Sequence, residues 1–345
     1  MAVVSLAIKY RPKTFDDVTE QDGIKTILEN QLKTGEVKNA YLFCGGAGTG
    51  KTTCARIFAN AINSGKGNPI ELDAASNNSV EDVRDIISRA KTASVESEYK
   101  VFILDEVHML SNSAWNAMLK LLEEPPIKSI FIMCTTDPQK IPKTILSRVQ
   151  RYDFQRISTK GISKRLHDIC VMEELAPVPD NGYTEAIEYI AKLANGGMRD
   201  AITLLDKCLA YSNDLTVDNI TKALGLVDYD VMLSLCAALV DFDRKSVLKI
   251  VDEANMSGKD LKQFMKQFTS FVLDLVKYQH VGDLSITTIP SAYETRAVAL
   301  SKTHTTSFFS DILAMLVKLN AEIKWDSSPK AMIEAELLLF MEGNR

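Results

Sequence analysis

Short, uninterrupted apolar runs alternate with stretches of helical periodicity over about the first 155 residues. The clearest runs, Val101–Leu104 and Ile130–Cys134, contain no polar residue, as expected of strands that are covered on both faces. Alternation of such strands with helices predicts a parallel sheet wrapped by helices. The predicted strands are Ala40–Cys44, Pro69–Asp73, Lys100–Asp105, Ser129–Thr135 and Arg151–Phe154.

Helical periodicity accounts for most of the remaining sequence. It predicts a helix over Asn112–Glu124, ended by Pro125. The predicted apolar face of that helix consists of Trp115, Met118, Leu119 and Leu122. After about Phe154 strand signals fade and helices follow one another to the end of the sequence. We therefore predict an α/β domain over residues 1–157, a small helical domain over 158–225 and an all-α domain over 226–345.

Composition narrows the class of protein. With 46% hydrophobic and 25% charged residues, the 345-residue chain is typical of a soluble globular protein of two or three domains. A net charge of −5 excludes a uniformly basic nucleic-acid-binding surface and leaves a local one open. The six cysteines form no C-x-x-C pair, so we expect buried apolar residues and neither a zinc site nor disulfides. No signal peptide or membrane span is predicted, and we expect a cytoplasmic protein.

A glycine-rich loop follows the first predicted strand directly. Gly45, Gly50, Lys51 and Thr52 satisfy the phosphate-loop pattern G-x-x-x-x-G-K-[ST]. The glycines let backbone N–H groups converge on an anion, and the following helix presents its positive dipole end to the phosphates. Lys51 would add a charge at the β- and γ-phosphates, and Thr52 would offer a hydroxyl to Mg²⁺. The predicted nucleotide-binding residues of the loop are Gly45, Gly46, Ala47, Gly48, Thr49, Gly50, Lys51, Thr52 and Thr53.

Acidic and hydroxyl side chains follow the next two buried strands. Asp105 and Glu106 end one strand, where parallel sheets bind ligands. Asp105 would hold Mg²⁺, mostly through water, and Glu106 would polarise the attacking water. The other interpretation is a solvated acidic pair. Thr136, at the end of the neighbouring strand, is placed to reach the γ-phosphate or that water, although a threonine is also an ordinary strand terminus.

Two arginines are candidates for stabilising the γ-phosphate as it leaves, a role worth about 10³–10⁵ in rate. They are Arg148, in Ser-Arg-Val, and Arg199, in Gly-Gly-Met-Arg. Either could equally be a surface charge with an apolar stem. We assign no catalytic role to His108, because a lone histidine beside a strand is more often a packing or hydrogen-bonding residue.

The ordered strings GGAGTGKT, LDEVHML, CTTDPQKIPKTILSRV and GGMRDAITLLDK, preceded by KYRPKTFDDV, closely resemble the gamma/tau family of bacterial DNA polymerase III clamp-loader subunits. The resemblance covers nearly the whole chain and includes LLEEPP and the final WDSSPKAMIEAELLLF. It implies an AAA+ P-loop ATPase domain, then a helical lid domain, then an all-α collar domain that joins subunits. It also implies an ATP phosphohydrolase, with no polymerase site of its own, inside a DNA polymerase III holoenzyme.

Residue roles follow from the resemblance where the motifs match. Lys51 and Thr52 correspond to the Walker A lysine and hydroxyl. Asp105 and Glu106 correspond to the Walker B pair, and Thr136 to the sensor 1 position. The cofactors implied are ATP and Mg²⁺, with Thr52 and Asp105 at the metal.

The resemblance also implies roles outside the loop and strand ends. Arg148 corresponds to the finger that reaches a neighbouring subunit's nucleotide, although Val149 stands where the family usually has cysteine. Arg199 corresponds to sensor 2, which reads the γ-phosphate bound to its own chain. The segment that borders the adenine corresponds to Tyr10, Arg11, Pro12 and Val18.

Two departures from the family pattern are evident. Typical members carry a four-cysteine zinc module after the Walker A helix, whereas this chain has only the short link Asn63–Pro69, so we expect no zinc. The sequence also ends after the collar, without the long extension of a tau form. We expect a short, gamma-like form.

The resemblance implies a function in DNA replication. Family members form a five-subunit arc with delta and delta-prime-like subunits and with further copies of themselves. ATP binding opens a sliding clamp and loads it on primer-template DNA, and DNA-triggered hydrolysis releases it. Asn77, in a loop before a predicted capping box at Ser79–Asp82, and Lys140 are the DNA-contact candidates.

Other functions stay open on the sequence. An AAA+ DNA motor, such as a branch-migration helicase, would share the nucleotide site, but the long collar-like helical region fits it less well. A structural subunit that does not hydrolyse ATP conflicts with the intact Lys51 and Glu106 motifs. A generic nucleotide-binding switch is the least specific reading.

Overall fold

The computed structural model describes residues 4–92, 97–175, 182–284 and 286–343, and the chain forms two compact units. The first comprises Met1–Glu174 with Ala194–Asp206, and the second comprises Leu175–Leu193 with Lys207–Arg345. Division into domains at residues 157 and 225 stays a prediction. Within the described ranges, no helix combines the length and apolar character needed to cross a bilayer.

The first unit is built on a five-stranded parallel sheet. Its strands are β1 (Ala40–Cys44), β2 (Ile70–Asp73), β3 (Lys100–Asp105), β4 (Ser129–Thr135) and β5 (Gln150–Asp153). They lie side by side in the order β2-β3-β4-β1-β5, and every neighbouring pair is parallel. The three central strands have the predicted bounds, whereas the two edge strands begin one residue away from their predicted starts. The central position of β1, β3 and β4 explains their continuous apolar sequences.

Helices cover both faces of this sheet. The helices of the first unit are α1 (Leu6–Lys9), α2 (Asp22–Thr34), α3 (Lys51–Ile62), α4 (Val80–Ala90), α5 (Asn112–Glu123), α6 (Lys143–Leu146) and α7 (Thr159–Met172), and α9 (Met198–Tyr211) begins there. Alternate strand residues face opposite layers. Leu42, Phe102 and Phe131 pack in the layer that contains α4 and α5. Tyr41 and Phe43 pack in the layer that contains α2 and α3.

Two helix predictions have instructive outcomes. The capping box at Ser79–Asp82 is confirmed, because the Ser79 side chain accepts from the Asp82 N–H and the Asp82 carboxylate accepts from the Ser79 N–H. The predicted apolar face of α5 is correct for Trp115, Met118 and Leu122. Leu119 is only partly buried, since the face turns toward Ala114 and Leu121 instead.

The second unit is helical throughout its described part. Its helices are α8 (Tyr183–Leu193), α10 (Val217–Ala223), α11 (Tyr229–Val240), α12 (Arg244–Met256), α13 (Leu261–Val281), α14 (Ser291–Ser301), α15 (Thr306–Glu322) and α16 (Lys330–Gly343). Its core includes the fully buried Phe264, Phe268 and Phe309. A buried carboxylate, Asp274 on α13, accepts hydrogen bonds from the backbone and hydroxyl of Thr288 and so ties the segment before α14 to α13.

Candidate nucleotide-binding site

The glycine-rich loop lies between the carboxyl end of β1 and the start of α3, which confirms its predicted strand-loop-helix setting. Backbone geometry explains two of its glycines. Gly45 has φ +152°, and a Cβ there would lie 2.6 Å from the Phe154 carbonyl oxygen. Gly48 has φ +70°, and a Cβ there would lie 3.0 Å from the Gly197 Cα. A side chain at Gly45 would clash with Phe154. A side chain at Gly48 would crowd Gly197 and would also have to adopt a left-handed backbone.

The amino end of α9 packs directly on this loop. The backbone N–H of Met198 donates to the Gly48 carbonyl at 2.9 Å. This contact brings Arg199, the next residue of α9, to the cavity beside the loop. Residues distant in sequence, all within the first unit, thus form one site.

A cavity of about 310 Å³ lies beside the loop. Most of the nucleotide-binding residues predicted from the sequence line it: Tyr10, Arg11, Pro12, Val18, Ala47, Gly48, Thr49, Gly50, Lys51, Thr52, Thr53, Asp105, Glu106 and Arg199. Gly45 and Gly46 do not line it, but their carbonyls accept from the Lys51 ammonium. The volume and the mixed apolar and polar lining suit a small ligand with a charged end.

Lys51 is nearly buried at the start of α3. Its Nζ donates to the carbonyls of Gly45 at 2.9 Å and Gly46 at 2.7 Å. Burial lowers the pKa of this ammonium, and the nearby Glu106 and Asp105 carboxylates act in the opposite direction. Within the described ranges this buried ammonium donates to carbonyl oxygens alone, so a phosphate oxygen in the same cavity would give it a stronger, charge-assisted hydrogen bond.

Thr52 and Asp105 meet at the predicted metal position. The Thr52 hydroxyl donates to Asp105 Oδ2 at 2.8 Å. A hydroxyl and a carboxylate are hard oxygen ligands of the kind that Mg²⁺ takes together with substrate phosphates. Both side chains line the cavity, so the residues present fit the ion that the motif implies.

Glu106 has an unusual backbone and an anchored side chain. It lies in the left-handed region, with φ 48° and ψ 43°, and its N–H donates to Asp105 Oδ1 at 3.0 Å. Its Oε2 accepts from the Thr136 N–H at 3.2 Å and from the Thr136 hydroxyl at 2.9 Å. A non-glycine residue with positive φ beside a cavity is a frequent mark of a functional position. Thr136 does not line the cavity itself, but it holds a residue that does.

Sequence reasoning missed several residues of the site. Arg165, on α7, lines the cavity and donates to the Tyr10 carbonyl at 3.1 Å, and Asp200, next to Arg199, also lines it. Both residues come to the cavity from helices distant in sequence from the loop, and no local motif marks them. His108, to which the sequence analysis gave no catalytic role, has its Nδ1 3.2 Å from Glu106 Oε2.

Gln21 is a further missed residue, and it supports the loop from behind. Its side-chain amide donates to the Gln155 carbonyl at 2.7 Å and accepts from the Gln155 N–H at 3.2 Å. The same amide lies 3.4 Å from the Thr49 carbonyl of the loop. The Gln21 side chain therefore forms two hydrogen bonds with the backbone that follows β5, in the way that a neighbouring strand would. It also links that backbone to the glycine-rich loop.

The N-terminal segment of the site is held by α7. The Tyr10 hydroxyl donates to Glu173 Oε1, and this hydrogen bond raises the pKa of the tyrosine. Lys9 forms an ion pair with the same carboxylate. These contacts fix the segment that carries Arg11 and Pro12 at the cavity.

Three further predicted site residues, Arg148, Lys140 and Asn77, neither line the cavity nor contact a residue that lines it in the hydrogen bonds and ion pairs described below. Arg148, after α6, forms an ion pair with Glu123 at 2.8 Å and donates to the Thr144 carbonyl. Lys140 is exposed and lies 3.3 Å from Asp137. Asn77, in the loop before α4, donates from its side chain to the Asp73 carbonyl at 2.9 Å. The roles of these residues stay predictions.

All six cysteines are buried, as predicted for small apolar residues. Across the part of the chain that the structure describes, no three histidine, cysteine, aspartate or glutamate side chains converge as a metal-binding group. The expectation that zinc does not bind stays a prediction.

Three protein-family models match the chain in succession. They are described as DNA polymerase III, delta subunit, over residues 68–158; DNA polymerase III clamp loader subunit, ATPase lid domain, over 162–214; and DNA polymerase III subunits gamma and tau domain III, over 215–341.

Among solved structures, the Thermotoga maritima RuvB Holliday junction branch migration motor matches with a TM-score of 0.53 and 19% identity, covering 75% of this chain and 90% of that one. At that identity the likeness shows the fold alone. With the parallel sheet and the lid match, it identifies an AAA+ fold: an α/β P-loop domain followed by a helical lid and an all-α region.

Curated relatives are DNA polymerase III subunits. The tau subunit of Bacillus subtilis is 36% identical over 98% of this chain and 63% of its own length. The tau subunit of Escherichia coli is 36% identical over 75% of this chain and 43% of its own length. The chain thus spans about half the length of the tau relatives it matches first. The gamma subunit of Buchnera aphidicola is 30% identical over 96% of this chain and 97% of its own length, so the given sequence is gamma-like over nearly its whole extent and the chain belongs to the DNA polymerase III gamma/tau family.

Proposed function

We propose that the chain is an ATPase subunit of a DNA polymerase III clamp loader. The observation that carries the proposal is the convergence of Lys51, the Thr52–Asp105 pair and Glu106 on one cavity. These are the groups needed to bind a triphosphate with its metal and to orient a water for hydrolysis.

Binding of ATP follows from the loop. Its backbone N–H groups and the amino end of α3 receive the phosphates, while Lys51 moves its donors from carbonyl oxygens to phosphate oxygens. Thr52 and Asp105 would hold Mg²⁺, which would supply positive charge to the phosphates. Tyr10, Arg11, Pro12 and Val18 border the adenine.

Hydrolysis uses the groups at the strand ends. Glu106 accepts a proton from the attacking water and aims it in line with the leaving group. Thr136 holds this carboxylate through Oε2. Arg199 places positive charge at the γ-phosphate from α9, whose first residue is bonded to the loop. Through Arg199 the site would distinguish a triphosphate from a diphosphate.

Arg148 serves a neighbouring subunit in this proposal. It lies outside its own chain's cavity and is held at the surface by Glu123. A five-subunit assembly, with further copies of this chain and delta and delta-prime-like subunits, would bring it to the neighbour's γ-phosphate. ATP binding then opens a sliding clamp for loading on primer-template DNA in the cytoplasm, and DNA-triggered hydrolysis releases it. Lys140 and Asn77 contact the DNA backbone.

The test is ATP hydrolysis by the purified chain, alone and with delta and delta-prime subunits, clamp and primed DNA. Stimulation only in the complete mixture supports clamp loading. Stimulation by DNA alone, with strand separation, would favour a DNA motor. A chain that hydrolyses no ATP in any mixture, and whose Glu106→Gln variant assembles and loads clamps normally, would be a structural subunit.

A further inference from the structure

His108 lies on a 3₁₀ helix of one turn, Val107–Met109, which follows the acidic end of β3. Its side chain is only 11% exposed, and Nδ1 lies 3.2 Å from two oxygens, Oε2 of Glu106 and Oγ1 of Thr135. A polar ring atom placed this close to the carboxylate that faces the nucleotide cavity is more than a packing contact.

The neighbours of Nδ1 determine which nitrogen carries the proton. An ionised carboxylate only accepts hydrogen bonds, so a lone pair on Nδ1 would repel Glu106 Oε2. Oγ1 of Thr135 already accepts from the Asp137 N–H at 3.1 Å and can accept from the ring as well. A hydrogen on Nδ1 therefore suits both neighbours: it donates to Thr135 Oγ1, and it removes the lone pair that would repel Glu106 Oε2, 3.2 Å from Nδ1.

The Glu106 carboxylate is consequently held from one side. Oε2 accepts two hydrogen bonds, from the Thr136 N–H and the Thr136 hydroxyl, and His108 Nδ1 lies 3.2 Å from the same oxygen. No hydrogen bond to Oε1 comes from any residue in the described ranges. Since Glu106 is 35% exposed, its side chain would otherwise sample several rotamers. Anchoring one oxygen leaves the other with a defined direction for receiving a proton from water.

We propose that His108 is a positioning residue for ATP hydrolysis, acting with Thr136 to orient the Glu106 carboxylate. This inference rests on the proposed ATPase function. Thr136 approaches Oε2 from β4, whereas His108 approaches it from the turn that follows β3. The two residues thus fix the carboxylate from two elements, which a single hydrogen bond cannot do.

Three variants of His108 separate positioning from packing. His108→Asn keeps a donor near the place of Nδ1, His108→Gln moves the donor toward the place of Nε2, and His108→Leu removes it. We expect kcat of the complete complex to fall about 10-fold or more in the Leu and Gln variants, part of the 10²–10⁴ that a well-placed general base contributes. The Asn variant should stay within about 3-fold of wild type. Affinity for Mg-ATP, measured directly, should be unchanged in all three.

Outcomes distinguish this inference from the proposed function. If the wild-type complex hydrolyses ATP and the Asn and Gln variants have equal kcat, His108 does not position Glu106. A Leu variant with wild-type kcat overturns the inference in the same way. If the Leu variant does not fold, the Asn and Gln pair still decides, since both are polar and similar in volume. Failure of wild-type hydrolysis in every mixture overturns the proposed function instead.

Discussion

The Thr52 hydroxyl donates a 2.8 Å hydrogen bond to Oδ2 of Asp105, which joins the start of α3 to the end of β3. The two oxygens that the sequence assigns to Mg²⁺ are therefore already together, and these two side chains would hold the ion.

Replacing Thr52 by valine should reduce Mg²⁺-dependent ATP affinity by about 10–100-fold, because shape is kept and one oxygen is lost. Titration of ATP with Mg²⁺ and with EDTA measures this. The variant and wild type should bind alike in EDTA. Thr34→Val, at the exposed end of α2, is the matched control. Equal Mg²⁺ dependence in Thr52→Val and wild type would contradict the metal assignment.

Lys51→Ala should abolish nucleotide binding, because the buried ammonium is the cation that the loop places among its own carbonyls. Equilibrium binding of a fluorescent ATP analogue measures this loss. The exposed Lys33→Ala on α2 controls for a change of net charge. A tight ATP complex in the Lys51 variant would refute the loop assignment.

Gly48→Ala should destabilise the first unit and weaken ATP binding together, since its Cβ would meet Gly197 at 3.0 Å in a left-handed backbone. Gly35→Ala is a matched control, with φ +73° and open space around its Cβ. That control should lose only the left-handed penalty of about 1–2 kcal/mol and keep ATP affinity. Urea denaturation and ATP titration test both variants. Equal ATP affinities in the two variants would show that the Gly48–Gly197 approach does not shape the site.

Arg148→Ala should leave ATP binding nearly intact and lower DNA-stimulated hydrolysis of the assembled complex by about 10³-fold. The physical reason is that Arg148 is proposed to contact the nucleotide bound by a neighbouring subunit and not the nucleotide of its own chain. The control is Arg151→Ala, another partly exposed arginine paired with a carboxylate, Asp153. Should the isolated chain hydrolyse ATP as fast as the full complex, the shared-site assignment is wrong.

Lys140→Ala should weaken binding of primed DNA similarly for all sequences and reduce the slope of log affinity against log salt by about 1. Among the residues that the structure describes, the exposed Lys140 ammonium is paired with Asp137 alone, at 3.3 Å, so it can turn to a phosphate. Lys128→Ala, also exposed and paired with a glutamate, should leave the slope unchanged. An unaltered slope in the Lys140 variant would reject the phosphate contact.

The local sequence was sufficient to predict the bounds of a strand where the whole hydrophobic pattern lies within that strand. β1, β3 and β4 have their predicted bounds because each is a continuous apolar run that ends at glycine or polar residues. β2 and β5 are edge strands of mixed polarity, so their ends depend on pairing with one neighbour. The face of α5 rotated toward Leu121 because the neighbouring layer, and not periodicity alone, selects which apolar residues are buried.

The sequence by itself determined the phosphate loop, the acidic pair and the family, since each depends on fixed local spacing that any fold must carry. Only the tertiary structure showed that Gln21 supports Thr49, that Arg165 enters the cavity and that His108 meets Glu106. These contacts join residues on different elements, or residues turned together by a left-handed backbone at Glu106. Such contacts depend on how strands, turns and helices converge at one edge of the sheet, and no local pattern encodes that convergence.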